Sequence, residues 1–518
     1  MVTDPLIGRL VDSRYEIVDR LARGGMATVY RAHDRRLDRT VALKLMHAHL
    51  ADSPDFVSRF RREARAAARL SNPGVVAVYD QGIDMLWMPI GYTIGYLVLL
   101  ILVAAPLRRS GAYTLPDFAE ARLESRALRR GCALLVVGIG WLYLLPQMQG
   151  AGLALRHVSG LPTWVGATVL TVIVVLNVAA GGMRSVTLVQ SVQYWIKLTA
   201  IAVPAFVLLL VWHRSGSPTP QAPAYWWEPL TSDEPTPRTL FTTYSTLAAL
   251  CLGTMGLPHI AVRFYTNPDG VAARRTTVSV LALLSIFYVF PPVYGYLGRA
   301  YLDPVDTAGD PSRTVVLALP GAMLSGLDGQ LLTALVAAGA FAAFLATASG
   351  VAMSVAGAID QDVLRPLTAR LTQGDATPSS SFRLAAMVGV LAPFVTAVTA
   401  EPIGISSAVG HAFAIAAATF APLLILGVWW TRLTAKGAAA GVLVGGTTTS
   451  LAAIVSVLDL APEGWPGAIV AAPTAWATPL AVVVAIVVSL LTPGSRPRRW
   501  ARTMTRLHTP EDVLAEAR

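Results

Sequence analysis

From residue 85 onward the chain reads as a succession of long apolar segments, and this pattern constrains its fold more than any other feature. Eleven segments are long enough to cross a hydrocarbon core of about 30 Å: 85–105, 131–153, 160–182, 187–212, 239–262, 277–298, 330–358, 383–400, 404–430, 437–458 and 475–492. A backbone at that depth has no water to bond, so each segment is expected to be a helix. Residues 1–83 differ: they hold 24 charged residues, whereas the remaining 435 hold 48. The first is the charge density of a soluble domain and the second that of a membrane protein. Two joined parts are therefore expected, meeting near Gly82.

The basic residues give an orientation. With the 106–130 loop placed in the cytoplasm, 21 basic residues fall on that side and five on the other, namely Arg156, Arg214, Arg238, Arg299 and Arg313. This bias is the positive-inside pattern. It accounts for the net charge of +10 without a nucleic-acid partner. The expected protein is multi-pass in the cell (inner) membrane, surrounded by lipid, with its C-terminus cytoplasmic and its N-terminal segment outside by helix count. The first thirty residues are polar and charged, so no signal peptide is expected. Cys132 and Cys251 lie in apolar runs, which is weak ground for a bridge.

Three segments carry chemistry. The 239–262 segment contains Gly253-Thr254-Met255-Gly256-Leu257-Pro258-His259. Glycine and proline this close together interrupt helical hydrogen bonds, and the freed groups must face protein, water or a ligand. Interrupted helices form substrate and ion sites in secondary transporters, although a simple proline kink has the same sequence signature. Half-helix ends at Gly256 and Pro258 suit an anionic carboxylate, with His259 beside them either assisting or capping the break. In the 187–212 segment Thr187, Gln190, Gln193 or Tyr194, and Lys197 recur at helical spacing and form one polar stripe. Lys197 is either part of an ion or proton pathway or a lysine that snorkels to the interface. The 330–358 segment is rich in Ala, Gly, Ser and Thr, which lets helices approach closely. The hydroxyl of Thr347 and the carbonyl of Ala343 also suit a hard cation such as sodium.

The stretch from Asp84 onward resembles the sodium:solute symporter family, most closely its cation/acetate (monocarboxylate) branch. The matching residues are Gly111-Ala112-Tyr113-Thr114-Leu115-Pro116-Asp117-Phe118-Ala119, Gln147-Met148-Gln149-Gly150-Ala151-Gly152, Gly181-Gly182-Met183, Gly253 to His259 with Arg263-Phe264-Tyr265-Thr266, and Leu433-Thr434-Ala435-Lys436-Gly437-Ala438. The resemblance implies a mainly α polytopic protein with the leucine-transporter fold, in which two inverted five-helix repeats surround a central site. It implies sodium ligands at Ala343, Ala346 and Thr347, with Ala346 departing from the serine common there. It implies substrate contacts at Gly253, Gly256, Pro258, His259 and Gln147. By this comparison 85–105 is the second core helix, and the broken first core helix is missing. The ion-coupling set is then Ala343, Ala346, Thr347, Lys197 and Gln190, with a metal-type ion at Ala343 and Thr347. The coupling ion is sodium or a proton, and no cofactor is required.

The first 82 residues read as strands followed by a charged helix. Tyr15–Val18, Thr28–Ala32 and Thr40–Leu45 have strand character, and 55–70 has helical spacing. Leu21-Ala22-Arg23-Gly24-Gly25-Met26-Ala27-Thr28-Val29-Tyr30 and Val41-Ala42-Leu43-Lys44 resemble the Gly-rich loop and lysine strand of a bacterial Ser/Thr protein kinase small lobe, with Glu63 as the lysine's partner. Gly24, Gly25, Lys44 and Glu63 are thus vestigial nucleotide-binding candidates, and ATP is a ligand only if this fragment is competent. No His-Arg-Asp loop and no Asp-Phe-Gly occurs in the chain, so the fragment is expected to be inactive and the protein not an enzyme.

The domain scheme is therefore 1–82 kinase-like, 84–493 transporter and 494–518 basic tail. The expected function is cation-coupled transport of a small monocarboxylate such as acetate, weakened by the missing helix. The alternatives are a membrane-anchored kinase or pseudokinase and a non-functional fusion of two truncated genes.

Overall fold

A computed structural model describes residues 9–11, 15–23, 27–34, 39–46, 87–219, 236–302, 311–365, 378–399, 405–458 and 460–511. The chain divides into two compact units, Met1–Leu70 and Ser71–Arg518. In the first, four strands form an antiparallel meander: β1 (Leu10–Val11), β2 (Tyr15–Arg23), β3 (Ala27–Asp34) and β4 (Arg39–Met46), in the order β1-β2-β3-β4. Alternation explains the pairing. Tyr30 and Ala32 on β3 are buried while Arg31 between them is exposed, and they stand opposite Leu43 and Val41 on β4. The three strands expected from sequence are all present, each longer by two to five residues. The expected 55–70 helix lies outside the described residues.

The second unit is helical. Its first part contains α1 (Trp87–Leu102), α2 (Ala104–Arg109), α3 (Leu115–Leu123), α4 (Arg126–Ser159) and α5 (Thr163–Arg214). The chain continues through α6 (Pro237–Gly256), α7 (Pro258–Tyr265), α8 (Gly270–Phe287), α9 (Phe290–Tyr301) and α10 (Pro311–Met323). Next come α11 (Leu327–Ile359), which ends in a π turn at Asp360–Leu364, then α12 (Pro378–Thr399) and α13 (Ile405–Trp429). The remaining helices are α14 (Ala435–Val457), α15 (Trp465–Ala471), α16 (Thr474–Leu491) and α17 (Trp500–His508). Among the described residues ten helices are long and apolar enough to span a membrane, and Pro89–Leu102 is a shorter apolar helix. These eleven correspond to the eleven segments read from hydropathy.

Two differences have local causes. Hydropathy separates 160–182 from 187–212, whereas α5 runs through both and contains two candidate spans, Thr163–Ala180 and Val186–Arg214. Gly181 and Gly182 weaken a helix but keep their N–H groups, so the hydrogen-bond ladder continues. The segment expected at 277–298 starts earlier, at Gly270, because the Asp269 side chain accepts from the Ala272 N–H and caps the helix. Caps also set α3, α6 and α14, through Thr114, Thr236 and Thr434.

Small residues set the packing. A Cβ on Gly140 would lie 2.1 Å from Val355, and one on Gly150 would lie 2.5 Å from Phe344, so α4 and α11 are in close contact. Gly339 does the same for α5, where a Cβ would meet Ala200 at 2.2 Å. Outward faces carry Leu176, Phe206, Leu210, Leu451 and Val483, all exposed and suited to lipid.

One end of the bundle is tied by arginines. The fully buried Arg122 on α3 donates from Nε to the Gly427 carbonyl at 2.7 Å and from Nη2 to the Trp430 carbonyl at 3.2 Å. It thereby satisfies the Gly427 carbonyl in the last turn of α13 and adds a donor to the Trp430 carbonyl just beyond it. Burial, with Arg496 adding to it, pushes the Arg122 guanidinium down to about 10, so it remains charged at neutral pH. Arg129 at the start of α4 bonds Asp117 and Glu120 on one face of α3 and Asp362 in the π turn, at 2.9, 2.7 and 2.5 Å. The C-terminal helix docks here too. Met504 and Leu507 are buried, Glu511 accepts from the Gly270 N–H and pairs with Arg109, and Glu124 accepts from the Arg498 and Arg499 N–H groups.

Arg122→Met is expected to cost about 1.5–3 kcal/mol, the range for hydrogen bonds from a charged group. Arg126→Met should be near neutral, since Arg126 is exposed and its ion pair is long. Thermal unfolding of the two purified variants in one detergent checks the difference.

Candidate functional site

The site is built around the interruption between α6 and α7. Leu257 is the single residue between them, with extended backbone angles of φ −70° and ψ 124°. Pro258 occupies the first position of α7, where its missing N–H costs nothing. The Leu257 carbonyl accepts from both the Ile260 and Ala261 N–H groups. Pro258 and His259 are buried. The His259 ring packs 5.0 Å from that of Tyr143 on α4, and Tyr143 lies 6.0 Å from Phe413 on α13. Tyr92 on α1 joins this group, 6.0 Å from Phe413 and 5.3 Å from Tyr96. Gln147 lies one turn beyond Tyr143 and is half-buried. Three elements from distant parts of the sequence, α1, α4 and α13, thus close around the break.

Gly253 and Gly256 serve a different contact. A Cβ on Gly253 would lie 2.5 Å from the Phe413 carbonyl oxygen, and one on Gly256 would lie 2.5 Å from that of Ala416. Both glycines face the backbone of α13, which they allow to come close.

The ion-coupling candidates sit on the seam between α5 and α11. Gln190 donates from Nε2 to the Ala346 carbonyl at 2.7 Å, so the structure brings these two candidates together. Seven residues further along α5 the Lys197 Cα lies 3.9 Å from the position of a Cβ on Gly339, seven residues back along α11. The two helices are therefore antiparallel here. Thr347 stands eight residues from Gly339, about 12 Å along the axis at 1.5 Å per residue. Ala343 is four residues away, so the level of Ala343 is nearer to Lys197 than that of Thr347. Ala343, Thr347 and Lys197 are half-buried, and Lys197 makes no hydrogen bond among the described residues. No group of three His, Cys, Asp or Glu side chains suited to a metal ion occurs among the described residues.

Arg263 was not among the sequence candidates. It sits inside α7, one turn after His259, and its Nη2 donates to Gln190 Oε1 at 3.0 Å. Read from hydropathy it belongs to the loop after the span. Its spacing of four from His259 was the available signal. Of the nucleotide candidates, Lys44 lies on β4 in register with Val29, while Gly24, Gly25 and Glu63 lie outside the described residues.

With this geometry in place, comparison with known proteins is decisive. The family model "Sodium:solute symporter family" matches residues 63–445. The chain belongs to the sodium:solute symporter family. The match begins inside the segment that resembles a kinase small lobe. An uncharacterized symporter of Bacillus subtilis, YwcA, is 30% identical over 411 residues, which is 77% of each protein. A monocarboxylic acid transporter of Corynebacterium glutamicum is 28% identical over 412 residues, covering 73% of this chain and 72% of that one. A sodium-coupled sialic acid symporter, solved substrate-bound and outward-open, aligns with a TM-score of 0.57 at 14% identity, over 82% of this chain and 86% of that one. This likeness shows the fold, a helical one of the inverted-repeat, leucine-transporter type.

Gly256→Ala is expected to lower thermal stability measurably, because its methyl would stand 2.5 Å from a backbone oxygen that no rotamer can move. Gly138→Ala, where a Cβ meets nothing within 4 Å, should not. Side-by-side melting curves decide it.

Proposed function

We propose that the protein is a cation-coupled symporter for a small monocarboxylate such as acetate. The observation that carries this reading is the interrupted α6–α7 helix, with buried His259 and Tyr143 at the break, in a chain of the symporter family. Half-helix ends at membrane depth present partial charges that an anion and a cation can share. Gly253, Gly256, Pro258, His259 and Gln147 form the substrate side of this proposal. Ala343, Ala346, Thr347, Gln190 and Lys197 form the ion side. The relatedness to a monocarboxylic acid transporter supports the substrate class.

The coupling ion is proposed to be the proton more than sodium. Ala346 offers no hydroxyl, and Lys197 places a titratable amine on the α5–α11 seam. Uptake is proposed to be weak because the sequence, aligned by the family's motifs, lacks the first core helix. For residues 1–82 the proposal is a kinase small-lobe fragment, favoured by the β1-β2-β3-β4 meander with Lys44 on β4. Without catalytic-loop and magnesium-binding motifs it transfers no phosphate.

In cells lacking their own carboxylate transporters, radiolabelled acetate uptake is expected to be low and to respond to an imposed pH gradient more than to sodium. Lys197→Ala should abolish the pH response. Sodium-driven uptake that Lys197→Ala leaves unchanged would overturn the coupling, and robust uptake would overturn the impairment.

A further inference from the structure

We propose that Arg263 is the anchor for the substrate's carboxylate, its guanidinium held at one edge by Gln190 and offering the other edge to the anion. The inference rests on the monocarboxylate reading above and names the residue that gives it charge selectivity.

Three helices build the arrangement. Arg263 lies on α7, four residues after His259 and so on the same face of the half-helix. Gln190 on α5 accepts from Arg263 Nη2 at 3.0 Å and donates to the Ala346 carbonyl of α11 at 2.7 Å. These two bonds fix the amide. Reversed, it would set its NH₂ against the guanidinium and its oxygen against the carbonyl, and both contacts would be repulsive. The fixed amide in turn fixes one edge of Arg263. The remaining N–H donors form a fork that matches a carboxylate, and Arg263 is exposed rather than packed away.

The charge balance points the same way. Arg263 makes no ion pair with a carboxylate among the described residues. Its free N–H donors are therefore open to an anion. Gly350 on α11 keeps the place open: a Cβ there would come within 3.2 Å of Gln190 Nε2 and 3.7 Å of Arg263 Nη2. Through Gln190 the anchor is also tied to the stretch of α11 that carries Ala343 and Thr347, which couples the substrate and ion sides of the proposed mechanism.

The test is equilibrium binding of radiolabelled acetate to the full-length protein in lipid nanodiscs, at fixed sodium concentration and pH. Wild type is expected to bind acetate, with propionate and pyruvate competing and the neutral isostere acetamide not. Arg263→Gln, which keeps a donor for Gln190, should weaken binding by about tenfold or more. Arg263→Lys, which keeps the charge but loses the fork, should weaken it by roughly threefold or more. Arg275→Gln, an exposed arginine on α8, should leave it unchanged. Wild-type affinity in Arg263→Gln would overturn the anchor while leaving the monocarboxylate reading in place. Should that variant fail to fold, Arg263→Lys decides by the same readout, and wild-type affinity in it overturns the fork. Absence of acetate binding to wild type, or equal competition by acetamide, would overturn the anchor and the substrate class together.

Discussion

The interruption at Leu257 imposes a requirement on everything around it. Inside a bilayer a backbone carbonyl or N–H that leaves the helical ladder finds no water and must be housed by protein or by a ligand. The Leu257 carbonyl meets this by accepting from Ile260 and Ala261, which starts α7 one residue after α6 stops. The rest of the enclosure comes from α13, brought close by Gly253 and Gly256, and from the rings of Tyr143, His259 and Phe413. The position of α13 then matters as much as the break. Arg122 fixes its far end by bonding the carbonyls of Gly427 and Trp430.

The long helix α11 plays the complementary part. It packs on α4 through Gly140 and Gly150 and on α5 through Gly339. Small side chains at these contacts replace the hydrophobic driving force that lipid does not provide, because close approach maximises dispersion and allows polar groups to meet. Gln190 reaching the Ala346 carbonyl is one such meeting, and it brings Arg263 of α7 to the same seam. The half-helix α7 and the helix α11 are linked by two hydrogen bonds through one glutamine.

Much of this was legible in the residues. The eleven apolar segments, the break at Gly256-Leu257-Pro258 and the polar stripe of Gln190 and Lys197 all follow from local periodicity and from what glycine and proline do to a ladder. The strands of the N-terminal meander follow from alternation around Tyr30 and Ala32. Arg263 was not legible as a site residue, because a charged residue two places from a helix end reads as loop by hydropathy. Spacing places Gly253 and Gly256 at the break, and only the packing shows that a Cβ on either would meet the α13 backbone. No local pattern says which helix a glycine faces.

The sequence by itself determined which segments are helices, where one of them breaks and that the chain is a symporter of its family. These depend on interactions between residues a few places apart and on the absence of water in a bilayer, both written in composition and spacing. Only the tertiary structure decided that Tyr143, His259 and Phe413 share one enclosure, that Lys197 stands level with Gly339, and that Gln190 joins Arg263 to Ala346. Those juxtapositions depend on which helix faces lie together and in what register. In lipid that choice is made by shape and by a few polar bonds between residues 73 to 156 positions apart.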